Sequence, residues 1–328
     1  IIPHTMSSTD ITSGKSTRLA IVIPCYNEEE ALPLTVARLT DIIGSMVGDG
    51  LVASDSYIMC CDDGSRDATW RTIRNLHASN PMVRGLSLAH NRGHQYALLA
   101  GLMTVRNECD AAISIDADLQ DDPRAMIEMV KRFREGAEIV YGVRRSRQSD
   151  TWFKRTTARG FYRFQHSMGL DTVYDHADYR LMSARALELL SSYGESNLFL
   201  RGIVPQIGLT TAVVEYDRNE RVAGESKYPL KKMLSFSVDG ITSFSSRPIR
   251  MIFYVGLGLL IADIATAIYV LLSWIHHDVE PGWTSLMLSV WFLGSLILMA
   301  LGIVGEYIGK IFIEVKHRPR YAIKEIIK

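Results

Sequence analysis

Short apolar runs that break off in acid, separated by stretches of helical period, constrain this chain more than any other feature. Leu19-Ala20-Ile21-Val22-Ile23 ends in Pro24 and a polar loop, Cys25-Tyr26-Asn27-Glu28-Glu29-Glu30. Tyr57 to Cys61 ends in Asp62-Asp63-Gly64-Ser65-Arg66-Asp67, and Ala111 to Ile115 ends in Asp116-Ala117-Asp118-Leu119-Gln120-Asp121-Asp122-Pro123. Val83 to Leu88 and Ala137 to Tyr141, the latter closed by Gly142, are two further expected strands. Between them, Leu32, Val36, Leu39, Ile42 and Ile43 share one helical face. Asp67 suits the cap of a helix through Trp70, Ile73 and Leu76. Asn91-Arg92-Gly93-His94-Gln95 opens a small-residue helix to Val105, and Pro123 suits the first turn of a helix from Arg124 to Arg134. Strands alternating with helices predict an α/β fold, a mostly parallel sheet covered on both faces. The acid-bearing loops after Ile23, Cys61 and Ile115 then lie along one sheet edge and build one site.

Two carboxylates spaced i, i+2 leave the third of these strands, and a carboxamide follows two residues later. Hard oxygen ligands that leave coordination positions open suit Mg²⁺ or Mn²⁺ carrying a diphosphate. The same acids would also serve as a turn capping the following helix, so the motif alone leaves both readings open. There is no GxGxxG, which disfavours a dinucleotide-binding domain. There is no Walker A motif either, so phosphate would be held by metal and bases. Lys+Arg equals Asp+Glu at 36 each, which gives no argument for nucleic acid. Acid gathers around residues 108–122, and base at 144–163 and on both flanks of the apolar C-terminal region. Cys25, Cys60, Cys61 and Cys109 show no zinc or CxxC spacing and are expected as buried, reduced thiols.

The rest of the chain points to a membrane. Residues 1–17 are Ser/Thr-rich and expected as a disordered tail ahead of a catalytic domain over 18–228. Bases and aromatics interleave at helical spacing over 151–168, including Trp152, Arg155, Arg159, Phe161 and Phe164, which suits a helix at a membrane surface. A second interfacial helix is expected within 229–250. Ile252 to Ile275 carries one charge, Asp263, and at 1.5 Å per residue spans ~36 Å, enough for a bilayer core of ~30 Å. Leu286 to Ile308 is a second such run, and residues 310–328 are expected as a basic tail. The loop between the runs, 276–283, lacks Lys and Arg, whereas Arg247, Arg250, Lys310, Lys316, Arg318 and Arg320 flank them. This asymmetry predicts a two-helix hairpin over 251–309 in the cytoplasmic membrane, with both ends and the catalytic domain in the cytoplasm.

Four motifs, Ile21-Val22-Ile23-Pro24-Cys25-Tyr26-Asn27-Glu28, Asp62-Asp63-Gly64-Ser65-Arg66-Asp67, Asn91-Arg92-Gly93-His94-Gln95 and Asp116-Ala117-Asp118-Leu119-Gln120, together resemble the family 2 glycosyltransferases of the GT-A fold. His176-Ala177-Asp178-Tyr179-Arg180-Leu181-Met182 and Arg221-Val222-Ala223-Gly224-Glu225-Ser226-Lys227-Tyr228 resemble the polyisoprenyl-phosphate glycosyltransferases, the bactoprenol-phosphate glucosyltransferases and dolichol-phosphate mannose synthase among them. The resemblance covers about residues 19–320. It implies transfer of a sugar, with inversion, from a nucleotide sugar (UDP-glucose or another UDP-hexose) to undecaprenyl phosphate, for glycosylation of the cell envelope by a homo-oligomer. It also implies roles by motif. Pro24, Tyr26, Glu28 and one or both of Asp62 and Asp63 would hold the nucleoside, together with the Asp116-Ala117-Asp118 segment. Asp116, Asp118 and Gln120 would hold the metal and diphosphate. Arg144, Arg155, Arg159, Arg201, Arg221, Ser226 and Lys227 would serve the phosphates of donor or acceptor. Asp178, expected in a loop downstream of the sheet, would orient a sugar hydroxyl or a basic side chain; an acid satisfied by Arg180 or a backbone amide is the other reading. A phosphate acceptor arrives already deprotonated, so no general base is expected.

Three rival readings stand beside this one. A processive polysaccharide synthase would carry a QxxRW motif and more spans, and neither is present. A catalytically silent nucleotide-sugar binding or assembly protein would not require the intact acid motif. A membrane nucleotidyltransferase would release pyrophosphate instead of a nucleoside diphosphate.

Overall fold

The computed structural model describes residues 16–145, 176–195, 198–217 and 282–328, together with single positions of a helix between 252 and 268. Its elements run β1 (Leu19–Cys25), α1 (Leu32–Gly48), β2 (Tyr57–Asp62), α2 (Thr69–Ser79), β3 (Val83–Leu88), α3 (His94–Val105), β4 (Ala111–Ser114), α4 (Ala125–Arg134) and β5 (Ile139–Arg144). There follow β6 (His176–Ser183), α5 (Ala184–Ser191), α6 (Leu200–Gln206), β7 (Thr211–Tyr216), α7 (Trp283–Val315) and β8 (Ile323–Ile327). Two compact units result: one holds the sheet together with Pro319–Lys328, and the other holds α7.

The eight strands form one sheet in the order β7-β5-β6-β4-β1-β2-β3-β8. All neighbouring pairs among β1–β4, and the pair β5–β7, are parallel. β6 runs antiparallel between β4 and β5, and β8 antiparallel along β3. The period of two explains how β1 is buried on both faces. Leu19, Ile21, Ile23 and Cys25 join one cluster with Leu32, Val36, Leu39 and Ile43 of α1 and with Met126, Met129 and Val130 of α4. Val22 and Cys61 face the other way, onto α3. There a side chain at Gly101 would lie 2.5 Å from Val22 and 2.4 Å from Cys61, so only glycine lets the helix approach. All four cysteines are buried free thiols, and burial pushes Cys60 and Cys109 up to about 12.

Five expectations shift. Thr17, placed in the tail, is buried and bridges to Val52. Gly142 does not stop β5, which continues to Arg144. Glycine is needed there for packing, because a Cβ would lie 2.8 Å from Met129 and 3.0 Å from the Tyr179 ring. Asp178 lies on a strand of the sheet, β6, and not in a loop. The second apolar run forms a longer helix than its 286–308 bounds, and within α7 the stretch Phe292–Val315 is long and apolar enough to cross a membrane. It lies exposed and is the one such helix among the described residues. Finally, the basic tail over 310–328 divides: the helix extends to Val315, and β8 joins the catalytic sheet. The first expected span is described only at single helical positions, of which Tyr254, Ile261 and Ile268 are exposed. The interfacial helices expected over 151–168 and 229–250, and Asp263, lie outside the described residues.

Candidate active site

The parallel strands bring the ends of β1, β2 and β4 to one edge, and β6 enters that edge from the opposite direction. Because Ser114 at the end of β4 registers with Arg180, Asp178 comes level with the residues that leave β4. The Ser114 hydroxyl donates to the Asp178 carbonyl and locks this register.

The acid loop that follows β4 is pinned from four elements. Thr35 Oγ1 on α1 donates to the Ala117 carbonyl at 2.6 Å. Arg144 on β5 donates through Nε and Nη2 to Asp121 Oδ1, at 2.9 and 2.8 Å. The Tyr216 hydroxyl on β7 donates to the same oxygen at 2.7 Å, and the Tyr179 hydroxyl on β6 donates to the Asp122 carbonyl at 3.1 Å. The Asp121 side chain is 1% exposed and that of Arg144 28%, so a half-buried guanidinium is the counter-ion of a buried acid; burial works against its charge, and Asp121 and Tyr216 outweigh that. Leu119 is turned into the left-handed region at φ 53°, a conformation that costs a β-carbon-bearing residue of order 1–3 kcal/mol. That turn folds Gln120 back: its amide Nε2 donates to Asp118 Oδ2 at 2.8 Å, and its backbone N–H to Oδ1 at 3.2 Å.

Asp116 stands at the head of the loop. Burial pushes its carboxyl up to about 6; His94 opposes that rise, and the charges of Asp178, Asp121 and Asp118 add to it. Its side chain keeps 40% exposure, so a crowded acid faces an open side. Beside it lies a closed ring of contacts. His94 Nε2 is 3.5 Å from Asp116 Oδ1 and 3.6 Å from Asp178 Oδ2. Arg201, in the first turn of α6, meets both Asp178 oxygens at 3.3 and 3.2 Å, and Arg180 Nη2 donates to Asp178 Oδ1. Gln95 Oε1 accepts from the Leu200 amide at 3.0 Å, and Arg180 Nη1 donates to the Leu200 carbonyl at 3.3 Å. α3, β6 and α6 are thereby tied at one point. Burial disfavours the Asp178 charge, but the neighbouring His94 imidazole and the Arg201 and Arg180 guanidiniums outweigh it. They hold the carboxyl well below its usual range. Burial works against the His94 charge as well, yet Asp178 and Asp116 raise its pKa.

On the other side of the edge, the loops after β1 and β2 are laced together. Asn27 Oδ1 accepts from the Arg66 amide and the Asn27 amide donates to Ser65 Oγ, both at 3.0 Å. Thr69 Oγ1 accepts from the Glu28 amide at 2.8 Å, and Asp67 Oδ1 accepts from the Thr69 amide; the N-cap of α2 is Ala68, without a side-chain cap bond, so Asp67 stands one residue ahead of the capping position expected for it. Asp62 accepts from the Ser65 amide and the Ser87 hydroxyl, and Asp63 from the amides of Arg92 and Gly93. Both are buried and shape the loops. Pro24 is buried in β1, Glu28 is half-buried, and Tyr26 is 40% exposed at the rim.

Of the site residues expected from sequence, the structure links Asp116 and Asp178 through His94 and sets Arg201 directly on Asp178, with Asp118 and Gln120 in the adjoining turn. It sets Arg144 on Asp121. Arg155, Arg159, Arg221, Ser226 and Lys227 lie outside the described residues. Arg180 is the partner that the second reading of Asp178 names, whereas His94 and Gln95 stand in a motif without an expected role. The available signal was the position of His94-Gln95 at the start of the helix after β3, a fourth loop on the same edge.

A divalent cation fits the donor set only as a site completed by substrate. Among the described residues no group of three or more His, Cys, Asp and Glu is arranged to hold a metal ion. Asp116 and Asp118 are two hard carboxylates at one strand end, in a region with more acid than base, and Mg²⁺ or Mn²⁺ commonly binds one or two carboxylates plus phosphate oxygens.

Comparison with known proteins accords with this edge. The family model for Glycosyl transferase family 2 matches residues 20–190. The protein named "Uncharacterized glycosyltransferase YkoT" of Bacillus subtilis is 53% identical over 305 residues, 93% of this chain and 90% of that protein. The bactoprenol glucosyl transferase of Shigella phage SfV is 37% identical over 309 residues, 94% of this chain and 98% of that protein. The prophage bactoprenol glucosyl transferase homolog of Escherichia coli K12 is 36% identical over 313 residues, 95% of this chain and 100% of that protein. With the family model spanning half of its length and such relatives nearly all of it, the chain belongs to glycosyl transferase family 2.

Proposed function

We propose that this glycosyltransferase moves a hexose from a UDP-sugar, UDP-glucose being the first choice, to undecaprenyl or a similar polyisoprenyl phosphate at the cytoplasmic membrane face, with inversion at the anomeric carbon. The acceptor class is supported by the names of the bactoprenol glucosyl transferases that match over nearly the whole chain. The membrane setting is supported by α7 and by the basic flanks of the two apolar runs. The hairpin, its orientation and assembly into a homo-oligomer belong to the same proposal.

The observation that carries the reading is the environment of Asp178. A carboxylate held ionised by two guanidiniums and an imidazole is a poor proton acceptor at neutral pH. A sugar hydroxyl as acceptor would need a base. A phosphate monoester does not, because its second pKa is roughly 6 and it arrives largely as the dianion. The site then needs alignment of a phosphate oxygen with the sugar carbon and neutralisation of two anions brought together. Arg201 supplies positive charge beside Asp116, and His94 an imidazole whose charged form Asp178 and Asp116 favour against burial; with 43% and 42% of their side chains exposed, both remain reachable by a ligand. Asp178 orients them. Asp116 and Asp118, the latter steadied by Gln120, would hold a divalent cation. That cation, when bound, stabilises charge on the departing diphosphate. Tyr26 at the exposed rim, with Pro24 and Glu28, would meet the nucleoside. Arg155, Arg159, Arg221, Ser226 and Lys227 are proposed for the acceptor phosphate on sequence grounds alone.

The test is a panel of nucleotide sugars offered with undecaprenyl phosphate. The reading expects one nucleoside diphosphate released for each glycolipid formed. Release of pyrophosphate would point to nucleotidyl transfer instead.

A further inference from the structure

We propose that Arg92 is a positioning residue, tying the segment that follows α7 in the chain to the loop that carries His94. The loop between β3 and α3 is gripped from two sides. On its inner side, Asp63 accepts from the amides of Arg92 and Gly93 at 2.7 and 2.8 Å. Gly64, at φ +63°, lies so close that a Cβ there would be 2.7 Å from the His90 carbonyl carbon and 2.8 Å from the Asn91 nitrogen. On its outer side, Arg92 Nε donates to the Arg320 carbonyl at 2.9 Å and Nη2 to the Pro319 carbonyl at 3.4 Å. The Ala89 amide donates to the Ala322 carbonyl at 2.9 Å. Asp63 is buried within the sheet edge, so the inner grip is fixed. The outer grip is only as firm as the seating of residues 319–327.

That seating is light. Ile323 and Ile326 are each 40% exposed, and β8 is held by its ladder to β3, by Ile327 against Gly85, and by Glu325. Glu325 accepts from Trp70 Nε1 at 3.2 Å and from Arg74 Nη2 at 2.5 Å. Strands with little apolar burial open locally before the core does. His94, two residues beyond Arg92, is the link between Asp116 and Asp178, so a shift of this loop displaces a group that completes the site. The planar guanidinium suits two neighbouring carbonyls, which a lysine ammonium on a flexible stem reproduces only in part. Arg92 thus acts through His94 and does not itself touch substrate.

The test compares full-length Arg92→Ala, Arg92→Lys and Glu325→Ala with wild type in membranes or detergent. Glu325→Ala loosens β8 at a place remote from the acid loop. Hydrogen exchange is expected to accelerate in residues 319–327 and also in 89–96. Turnover is expected to fall on the order of 10-fold or more in Arg92→Ala, in kcat more than in donor KM, because misplacement of a site group by about 1 Å can cost 100-fold. Arg92→Lys should recover part of the loss, and Glu325→Ala should add nothing in the Arg92→Ala background. The kinetic arm rests on the proposed reaction; the exchange arm does not, so a wrong substrate and a wrong coupling are distinguishable. Acceleration confined to 319–327, with 89–96 as in wild type, overturns the proposal. So does an Arg92→Ala enzyme with wild-type kcat. If Arg92→Ala does not fold, exchange in Glu325→Ala decides alone.

Discussion

His94 and Asp178 meet through Nε2 and Oδ2 at 3.6 Å, although one opens a helix after β3 and the other enters the sheet on the antiparallel strand β6. The contact sets an imidazole against an acid that Arg180 and Arg201 already pair.

Asp178→Asn is expected to lower turnover by a similar factor at every pH, leaving the acidic limb of the rate profile in place, because that limb belongs to the phosphate acceptor. Loss of the limb in the variant alone would make Asp178 the titrating base. The variant should also be less stable by roughly 3–5 kcal/mol, since Arg180, 2% exposed, loses its carboxylate. The sign with pH follows from a depressed folded pKa. The stabilisation is present above the unfolded carboxyl value of about 4 and disappears as pH falls through the lower folded one. Urea unfolding of wild type and variant across pH 3–7 measures it; a constant difference down to the lowest pH would contradict it.

Asp118→Ala should remove most turnover with the fold intact, because Asp118 is half-buried and bonded to Gln120 within its own turn. EDTA should abolish turnover, and Mg²⁺ or Mn²⁺ should restore it. Full activity in EDTA sinks the proposed metal.

Arg144→Ala distinguishes the counter-ion of a buried acid from a phosphate ligand. As the partner of Asp121, Arg144 should cost roughly 3 kcal/mol or more in urea unfolding at neutral pH when removed. Tyr216→Phe should cost less, about 1.5–3 kcal/mol for a hydrogen bond to a charged group. An Arg144→Ala protein as stable as wild type, with donor KM raised, would return Arg144 to phosphate binding.

Gly282→Cys tests the hairpin. The four native cysteines are buried, so an impermeant thiol reagent on intact cells should report the new residue with little background. Labelling before lysis is expected. Labelling only after lysis would reverse the orientation.

What was legible in the sequence follows from how each element is buried. β1, β2 and β4 lie inside the sheet and are continuous apolar runs ending in acid, so their position and shared edge could be read directly. β6 hides because its burial includes charge. Asp178 and Arg180 share one face and neutralise each other, while Tyr179 and Leu181 on the other face join the core. A pattern rule takes such alternation for a surface. β8 hides for the opposite reason: it is an edge strand with little apolar burial, so Ile323 to Ile327 looks like tail. Gly142 reads as a stop in the sequence because its reason, room for Met129 and Tyr179, is tertiary. The acid motif and Arg201 were found by motif. His94 was not assigned, because its partners are supplied by a sheet order that the sequence does not state.

The most direct test of the central claim is to incubate the purified full-length protein with each UDP-hexose, undecaprenyl phosphate and Mg²⁺ or Mn²⁺, following UDP release and the anomeric configuration of the lipid product. The account predicts one UDP per glycolipid and an inverted anomeric centre, with no product when undecaprenol replaces its phosphate. Equal transfer to the free alcohol, or a retained configuration, would contradict it.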